Sequence, residues 1–309
     1  MFEDKDILRE LSRIVNQLHI SGDRINFRNR YYGLSSENIR QGLTNILYAE
    51  CYALKEAYQS GSLSKKENII GHDQDFLNLL SDSNHSKDRT EHGWLIQTDY
   101  KNGYAEIAKH DQIRVVPMSA IRGVDSVFFP KEDRYRQPTF YYVFSDQHFD
   151  VLEQTNRVYW NISSEGAPVL IGSITKILNH YKVPFMFKCL SHPALYFRRD
   201  AAVLYVDDTV MPMLRMLLPE IYHQVEKFLD DDVPLFSCKY QGGIGLAESP
   251  NKHESFGMNR MAILADALLA IQPKMLYDTA AIQEIAAVFL QKGINPARPH
   301  LNKGSRILN

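Results

Sequence analysis

Cysteine is scarce in this chain of 309 residues, which contains only Cys51, Cys189 and Cys238. The three lie far apart and form no CxxC pair, so the sequence predicts neither a disulfide framework nor a zinc knuckle. Such cysteine usage is typical of a protein that stays in a reducing cytoplasm.

An excess of charge is also missing, since the formal net charge is -2 and the pI is near 6.6. We therefore expect no global attraction to nucleic acid or to an anionic membrane, and any anion site must be local. There is no apolar run of about 18 residues and no signal-peptide pattern, which predicts neither a membrane span nor a cleaved signal. Export by a specialised secretion machine needs no such signal and stays open.

The composition is that of a folded protein, with 44% hydrophobic, 11% aromatic and 23% charged residues. A chain of this length fits one large domain or two modest ones. The polar stretch at residues 78–91 predicts a boundary, with an N-terminal helical region at 1–90 and an α+β domain at 91–309.

Hydrophobic periodicity predicts the elements of each part. Helical spacing marks two N-terminal helices, with a packed basic and aromatic loop at 27–34 between them. Three short runs at 93–97, 104–108 and 112–116 predict an antiparallel meander. Further strands are expected at 139–144, 156–162, 183–188 and 201–206, and helices at 167–180, 211–229, 255–271 and 278–292, the last ended by Gly293. The predicted fold class is α+β, with a mixed or antiparallel sheet flanked by helices.

The strand at 156–162 carries a polar face. Because side chains alternate along a strand, Arg157, Tyr159 and Asn161 share one side while the apolar residues between them face the core. A crossover helix to the next strand would gather polar residues on one surface. The alternative is an edge strand with a solvated face.

Lys188 closes the apolar and aromatic run at 183–188, so its amine emerges from hydrophobic walls as a candidate base. The alternative is a lysine with an exposed ammonium group. His192, four residues later, is a candidate general acid, or an ordinary turn histidine.

Several cations could bind a phosphate. Arg198 and Arg199 precede a strand, and a guanidinium can hold a phosphate with two hydrogen bonds, although pairing with Asp200 is the alternative. The segment 234–260 adds Lys239, Tyr240, Asn259 and Arg260. Its glycines at 242–245 lack the third glycine of a dinucleotide site, and predict a mobile loop leading to a helix that binds an anion together with Arg260. HExxH, P-loop and GxSxG motifs are missing, so the classes they define lose support.

These residues resemble a known family. The segments 157–161, 183–188, 198–205, 245–248 and 254–260, with the closing stretch 293–302, resemble the HopA type III effector family. In gene clusters for lanthipeptides and thioamitides, family members accompany a kinase-like partner protein that phosphorylates Ser or Thr. The resemblance implies a phosphoserine/phosphothreonine lyase of a bacterial cytoplasm that eliminates phosphate to leave dehydroalanine or dehydrobutyrine. It also implies a distant likeness to the phosphothreonine lyases, in which a lysine ends the second strand.

The resulting hypothesis assigns a role to each candidate. Lys188 or Tyr159 takes the α-proton of a phosphorylated peptide and His192 protonates the leaving oxygen, with no metal or organic cofactor. The phosphate is held by Arg198, Arg199, Arg260 and Lys239, and the peptide by Arg157, Asn161, Tyr240 and Asn259. The distant lyases carry a Lys-x-His pair where Tyr159 and Asn161 stand here. This departure keeps open a non-catalytic module that binds a peptide or protein, or an effector acting on a host protein.

Overall fold

The computed structural model describes residues 1–22, 24–33, 38–55, 71–110, 112–149, 155–251, 253–272 and 278–305. The predicted fold class is confirmed, because antiparallel sheets are flanked by helices throughout the described ranges.

The N-terminal part combines helices with a small sheet. Helix α1 (Lys5–Gln17) begins at Asp4, whose carboxylate accepts hydrogen bonds from two early backbone N–H groups, and leads into β1 (Leu18–Ser21). Strands β2 (Arg24–Phe27) and β3 (Arg30–Gly33) complete a three-stranded sheet. The packed loop predicted at 27–34 is therefore wrong where β3 forms. Arg28 and Asn29 make the turn with positive φ angles of 52° and 61°.

Three helical segments follow. Helix α2 (Ile39–Leu47) continues without a break into a π-helical turn (Tyr48–Ala53), and α3 (Gln74–Asp82) begins at Asp73, which caps it. The π-turn contains Tyr52, whose side chain is fully buried.

Residues 89–129 form a small subassembly, here called the arm. It contains the two-stranded sheet of β4 (Arg89–Glu91) and β8 (Val127–Phe129) and the predicted meander, which is confirmed as β5 (Leu95–Asp99), β6 (Tyr104–Lys109) and β7 (Gln112–Pro117). The arm has a hydrophobic core of its own, built from Trp94, Ile107, Val116 and Val127.

The large sheet has seven strands, all antiparallel to their neighbours, in the order β14-β15-β11-β13-β12-β10-β9. The strands are β9 (Glu132–Gln137), β10 (Phe140–Phe144), β11 (Thr155–Trp160), β12 (Met186–Leu190), β13 (Ala202–Asp207), β14 (Cys238–Gln241) and β15 (Ile244–Glu248). Helix α4 (Gly166–His180) is the predicted crossover between β11 and β12. The later strand β13 then pairs between them, so β11 and β12 run in the same direction without touching.

Three more helices complete the fold. They are α5 (Met211–Val225), α6 (Phe256–Ile271) and α7 (Asp278–Gln291). Gly293 ends α7 as predicted, since its φ of 79° lets the backbone N–H groups of residues 293 and 294 reach helix carbonyls.

Two details differ from the sequence-based prediction. Strand β12 starts at Met186, beyond Pro184, so Lys188 lies in its middle and not at its end. The glycines at 242–243 form the tight turn of the β14-β15 hairpin, and the mobile loop predicted there is wrong.

The first turn of α6 is capped by the Ser255 hydroxyl, which accepts the backbone N–H of Met258.

One core unites most of the molecule. Buried side chains from Phe2 to Leu80 belong to the same hydrophobic cluster as those of the large sheet and of α4 to α7. The domain boundary near residue 90 stays a prediction. The alternative of a solvated edge strand at 156–162 is wrong, because β11 is buried along its whole length between β13 and β15.

Candidate functional site

One row of side chains crosses the large sheet on a single face. Tyr142 of β10 pairs with Lys188 of β12, which pairs with Val203 of β13, which pairs with Tyr159 of β11. Paired residues in antiparallel strands point to the same side. The structure therefore brings Lys188 and Tyr159 to one face, two strands or ~10 Å apart.

Lys188 is half-buried against aromatic rings. Its Nζ lies 4.2 Å from the ring centre of Phe140 and 5.7 Å from that of Tyr142. It forms a long hydrogen bond of 3.4 Å to Oε1 of Gln137. No carboxylate of the described ranges forms an ion pair with it, so its charge is held mainly by ring faces.

Arg136, which the sequence analysis missed, stands on the other side of Tyr142. Its guanidinium carbon lies 5.3 Å from the ring centre of Tyr142 and 5.9 Å from that of Phe144. The side chain is exposed and, like Lys188, forms no ion pair with any residue that the structure describes. Two cations therefore flank one aromatic ring, and neither forms an ion pair with a described carboxylate, which is an arrangement suited to an anion.

The hydroxyl of Tyr142 belongs to the same cluster. It donates a hydrogen bond of 2.7 Å to Oε1 of Gln137. Burial raises the pKa of Tyr142, while the charges of Lys188 and Arg136 oppose the rise. The hydroxyl is thus a neutral donor between two positive groups.

Behind Lys188 lies a buried ion pair. Arg198 donates two hydrogen bonds of 2.8 Å to the carboxylate of Asp200, and the Tyr48 hydroxyl donates a third of 3.0 Å. Burial alone would raise the pKa of Asp200, but the pair with Arg198 outweighs it and the pKa is lowered, with the charge of Lys188 acting in the same direction. The predicted alternative for Arg198, pairing with Asp200, is what the structure shows.

Tyr159 is enclosed and does not reach the surface. Its side chain is 2% exposed and packs against the rings of Tyr52 and Phe256. Burial raises its pKa to about 12, against the opposing charge of Arg157. A hydroxyl in this position stays protonated at neutral pH and is poorly placed to act as a base on a peptide.

Arg157 and Asn161 brace neighbouring segments. Arg157 donates to the Ser249 hydroxyl at 2.8 Å and to the carbonyl of Glu254 at 2.9 Å. The Asn161 amide donates to the backbone carbonyl of Asp232 at 2.8 Å and to its carboxylate at 2.5 Å. Both side chains hold loops of this chain and are at most 9% exposed.

Arg199 and Lys239 lie away from Lys188. Arg199 donates to Asp232 at 2.5 Å and to the carbonyl of Cys51 at 2.8 Å, which fixes the end of the π-turn. Lys239 lies on the outer strand β14, four strands or ~19 Å from Lys188, and is paired with Asp231 at 2.6 Å.

Arg260 is buried against residues 299–302. It donates to the carbonyls of Pro299 at 2.7 Å and Leu301 at 3.0 Å, and to the side-chain oxygens of Asn302 and Asn259. Burial lowers its pKa to about 10. Every one of these acceptors is part of this chain, and Arg260 does not meet Lys188.

Three further predicted residues have local roles in the structure. Nδ1 of His192 accepts the backbone N–H of Ala194 at 3.1 Å and so caps a short 3-10 turn. Tyr240 is on the surface of β14, and the Asn259 amide donates to Glu254 at 3.0 Å.

Arg199, Lys239 and Arg260 thus bind groups of this chain, and their role in phosphate binding stays a prediction. Of the predicted site residues, the structure gathers Lys188 and, through Asp200, Arg198, and it adds Arg136, Gln137 and Tyr142. We call the group of Lys188, Arg136, Gln137 and Tyr142 the Lys188 cluster. Among the described residues there is no group of three or more His, Cys, Asp or Glu side chains that could hold a metal ion. None of the helices in those ranges is long and apolar enough to cross a membrane.

Comparison with known proteins identifies the family. The HopA1 effector protein family matches residues 132–301, more than half of the chain. The chain belongs to the HopA1 effector protein family. All four residues of the Lys188 cluster lie within the matched range.

Solved structures support the same fold. An effector protein from Pseudomonas syringae pv. tomato strain DC3000 has a TM-score of 0.53 at 13% sequence identity, covering 96% of each chain. An effector from Pseudomonas syringae pv. syringae strain 61 has a TM-score of 0.51 at 12% identity, covering 98% of this chain and 100% of the other. No curated protein matches the sequence.

Proposed function

We propose that this HopA1-family protein is a phosphoserine/phosphothreonine lyase, which eliminates phosphate from a phosphorylated precursor peptide to give dehydroalanine or dehydrobutyrine. The observation that carries the proposal is the pair of cations, Lys188 and Arg136, on either side of the Tyr142 ring with no described carboxylate partner. A peptide phosphate supplies the negative charge that this pair lacks.

The chemistry assigns a different role to each group. Arg136, whose guanidinium can form two parallel hydrogen bonds, holds the phosphate. The neutral Tyr142 hydroxyl turns from Gln137 and donates to one of the phosphate oxygens. Lys188 acts as the base in its neutral form: its ammonium group first gives a proton to solvent, and the free Nζ then accepts the proton from the α-carbon of the phosphorylated residue. The electrons of that C–H bond form the Cα=Cβ double bond, and the Cβ–O bond breaks as phosphate leaves with its bonding pair. The rings of Phe140 and Tyr142 shield the amine from water.

The role of the remaining predicted residues follows from their positions. Arg198 positions the site through Asp200, whose carboxylate lies within the field of Lys188. Arg157, Asn161, Arg199 and Arg260 support the surrounding segments. The kinase-like partner that the family resemblance implies would make the phosphorylated substrate, in the cytoplasm of the same bacterium.

A second function is favoured by a specific observation. Tyr159, which stands where the distant lyases carry a lysine, is buried, and His192 is used as a cap. A family member that binds a phosphorylated peptide or a host protein without changing it would need the two cations but no acid.

One experiment separates the two functions. The purified chain is incubated with a phosphoserine peptide, a phosphothreonine peptide and their unphosphorylated forms, and released phosphate and peptide mass are measured. Lyase activity converts only the phosphorylated forms, with loss of the elements of phosphoric acid. Peptide that is bound but unchanged favours the binding function, and peptide that is neither bound nor changed contradicts both.

Substitutions then test the assignment of the base. Lys188→Met and Lys188→Arg should both lower the turnover number by about a hundredfold or more, since neither can accept the proton. Lys188→Arg should keep peptide affinity, because it keeps the charge. The matched control is Lys176→Met on the exposed face of α4, which should leave turnover unchanged. Full activity of Lys188→Arg would assign Lys188 to charge stabilisation instead.

A further inference from the structure

A groove runs between the arm and the large sheet, and we call it the arm groove. Its volume is about 480 Å³. One wall is made by β7 of the arm, and the other by residues of β9, β10 and the segment 144–149.

The walls of the arm groove are largely apolar. Ile113 is 67% exposed and Val115 57% exposed, and both stand on β7 in the groove. Phe128, Phe144 and Met186 line it as well. Large aliphatic side chains exposed together at a concave surface are typical of a binding site for another chain.

The charges around the arm groove have one predominant sign. Arg114 and Arg136 line it together with Arg89, which pairs with Glu91 at 3.4 Å, whereas Asp133 is the one acidic residue among the described lining residues. The complementary partner therefore carries acidic side chains beside apolar ones.

The arm groove is continuous with the Lys188 cluster. The paired residues Phe144 and Met186 line the groove, and the next pair on the same face of the sheet is Tyr142 and Lys188. Two residues along a strand span about 7 Å. Arg136 belongs to both, since it lines the groove and lies over the Tyr142 ring.

Strand β7 also lies at the edge of its sheet. In the part of the chain that the structure describes, β7 is the outer strand of the order β5-β6-β7 and pairs with β6. An extended peptide can add to such an edge through main-chain hydrogen bonds while its side chains enter pockets.

We propose that the arm groove binds the extended segment next to the phosphorylated residue of the substrate, and that this segment carries acidic and apolar side chains. The inference rests on the proposed function for the position of the phosphate. An extended peptide advances by about 3.3 Å per residue. When its phosphorylated residue lies at the Lys188 cluster, the peptide residues two or three positions away therefore lie in the arm groove. The substrate class is thus an acidic, partly apolar phosphopeptide.

The first test measures what the groove binds, without any phosphate. Short random displayed peptides are selected on the immobilised full chain, and the enriched sequences are synthesised and titrated by fluorescence anisotropy. The expected peptides are net acidic with apolar residues, and their affinity falls as salt is added. Enrichment of basic peptides, or of none, overturns the proposal.

Two matched variants locate the binding. The double substitution Ile113→Asp with Val115→Asp puts two carboxylates on exposed positions of the groove and should weaken binding about tenfold or more. Val124→Asp adds a carboxylate to another exposed arm residue, 91% exposed and outside the groove, and should have no effect. Circular dichroism checks that all variants are folded. Equal affinity of the double variant and Val124→Asp contradicts the proposal.

The second test separates this inference from the lyase function. Enriched peptides are extended by a phosphoserine two or three residues from their acidic part, and phosphate release is followed for the wild type and both variants. A peptide that binds in the groove but releases no phosphate supports the proposed binding site and contradicts the proposed lyase function. If phosphate is released and the double substitution Ile113→Asp with Val115→Asp leaves kcat/KM unchanged, the lyase function is supported and the proposed binding site is contradicted.

Discussion

Tyr159 and Lys188 stand in one row of the large sheet, with Val203 of β13 between them. The row runs from a closed end, where Tyr159 is 2% exposed, to an open end, where Lys188 is half-buried among aromatic rings. Reactive groups on the same face of one sheet thus differ in their access to a substrate. Access, and not the facing direction alone, decides which of them can touch a peptide.

Tyr159→Phe should leave phosphate release from a phosphopeptide within about twofold of wild type. The hydroxyl is enclosed, and a pKa of about 12 keeps it protonated at neutral pH. Steady-state kinetics measure the effect, with Lys188→Met as the inactive reference. A loss of activity as large as that of Lys188→Met would return the role of base to Tyr159.

Arg260→Met should destabilise the protein by about 3 kcal/mol, because it leaves several buried acceptors without a donor. These include the carbonyls of Pro299 and Leu301. Urea unfolding measures the change, and limited proteolysis should cut the segment 299–302 sooner. Arg215→Met, at an exposed position of α5, is the control and should stay within about 0.5 kcal/mol of wild type. A stable Arg260→Met variant would show that the C-terminal segment is held by other contacts.

Gly257→Ala should lower the free energy of unfolding by about 1–3 kcal/mol. An added Cβ would lie 2.6 Å from the ring of Tyr52 and 2.8 Å from that of Tyr48, so α6 would have to move from the π-turn. Gly172→Ala in α4 is the matched comparison, since its nearest neighbour would be at 3.6 Å. That variant should gain about 0.5–1 kcal/mol from helix propensity. Thermal unfolding of both variants tests the pair, and equal midpoints would contradict the close packing.

The stability of the protein should fall as the pH is lowered through the range in which His300 takes up a proton. Burial, assisted by the charges of Arg298 and Arg260, lowers its pKa from 6.5 to about 4. The unfolded chain therefore binds a proton at a higher pH than the folded one. Stability from this residue is complete above about 6.5 and is lost as the pH falls to about 4.

The size of this effect can be measured by substitution. After allowance for partial exposure it should amount to about 2 kcal/mol. His300→Gln should flatten the difference in unfolding free energy between pH 7 and pH 4.5 relative to wild type. Identical pH profiles for the two proteins would rule out His300 as the titrating group.

Periodicity predicted the elements that surround the site. The period of two along β11 correctly placed Arg157 and Tyr159 on one face, and the aromatic run before Lys188 correctly indicated its apolar walls. Sequence could not show that β11 lies in the middle of the sheet with both faces covered. That depends on β13 and β15, which pair with it from far along the chain.

Charge alone did not show which cations are bound by groups of this chain. Arg199 and Arg260 are bound by carbonyl groups of Cys51, Pro299 and Leu301, and a backbone acceptor leaves no signature in the sequence. Arg136 was missed because the edge strand β9 is mostly polar and shows no apolar alternation. The available signal was its place two residues after Arg134, before the turn that leads into the aromatic strand β10.

The place of β13 between β11 and β12 has a consequence for how the chain folds. Neither earlier strand can complete its hydrogen bonds until residues 202–207 arrive, so the centre of the sheet cannot close by local hairpins. A nascent chain that ends before residue 202 would leave both edges of β11 and one edge of β12 unpaired, the kind of surface that chaperones protect from aggregation.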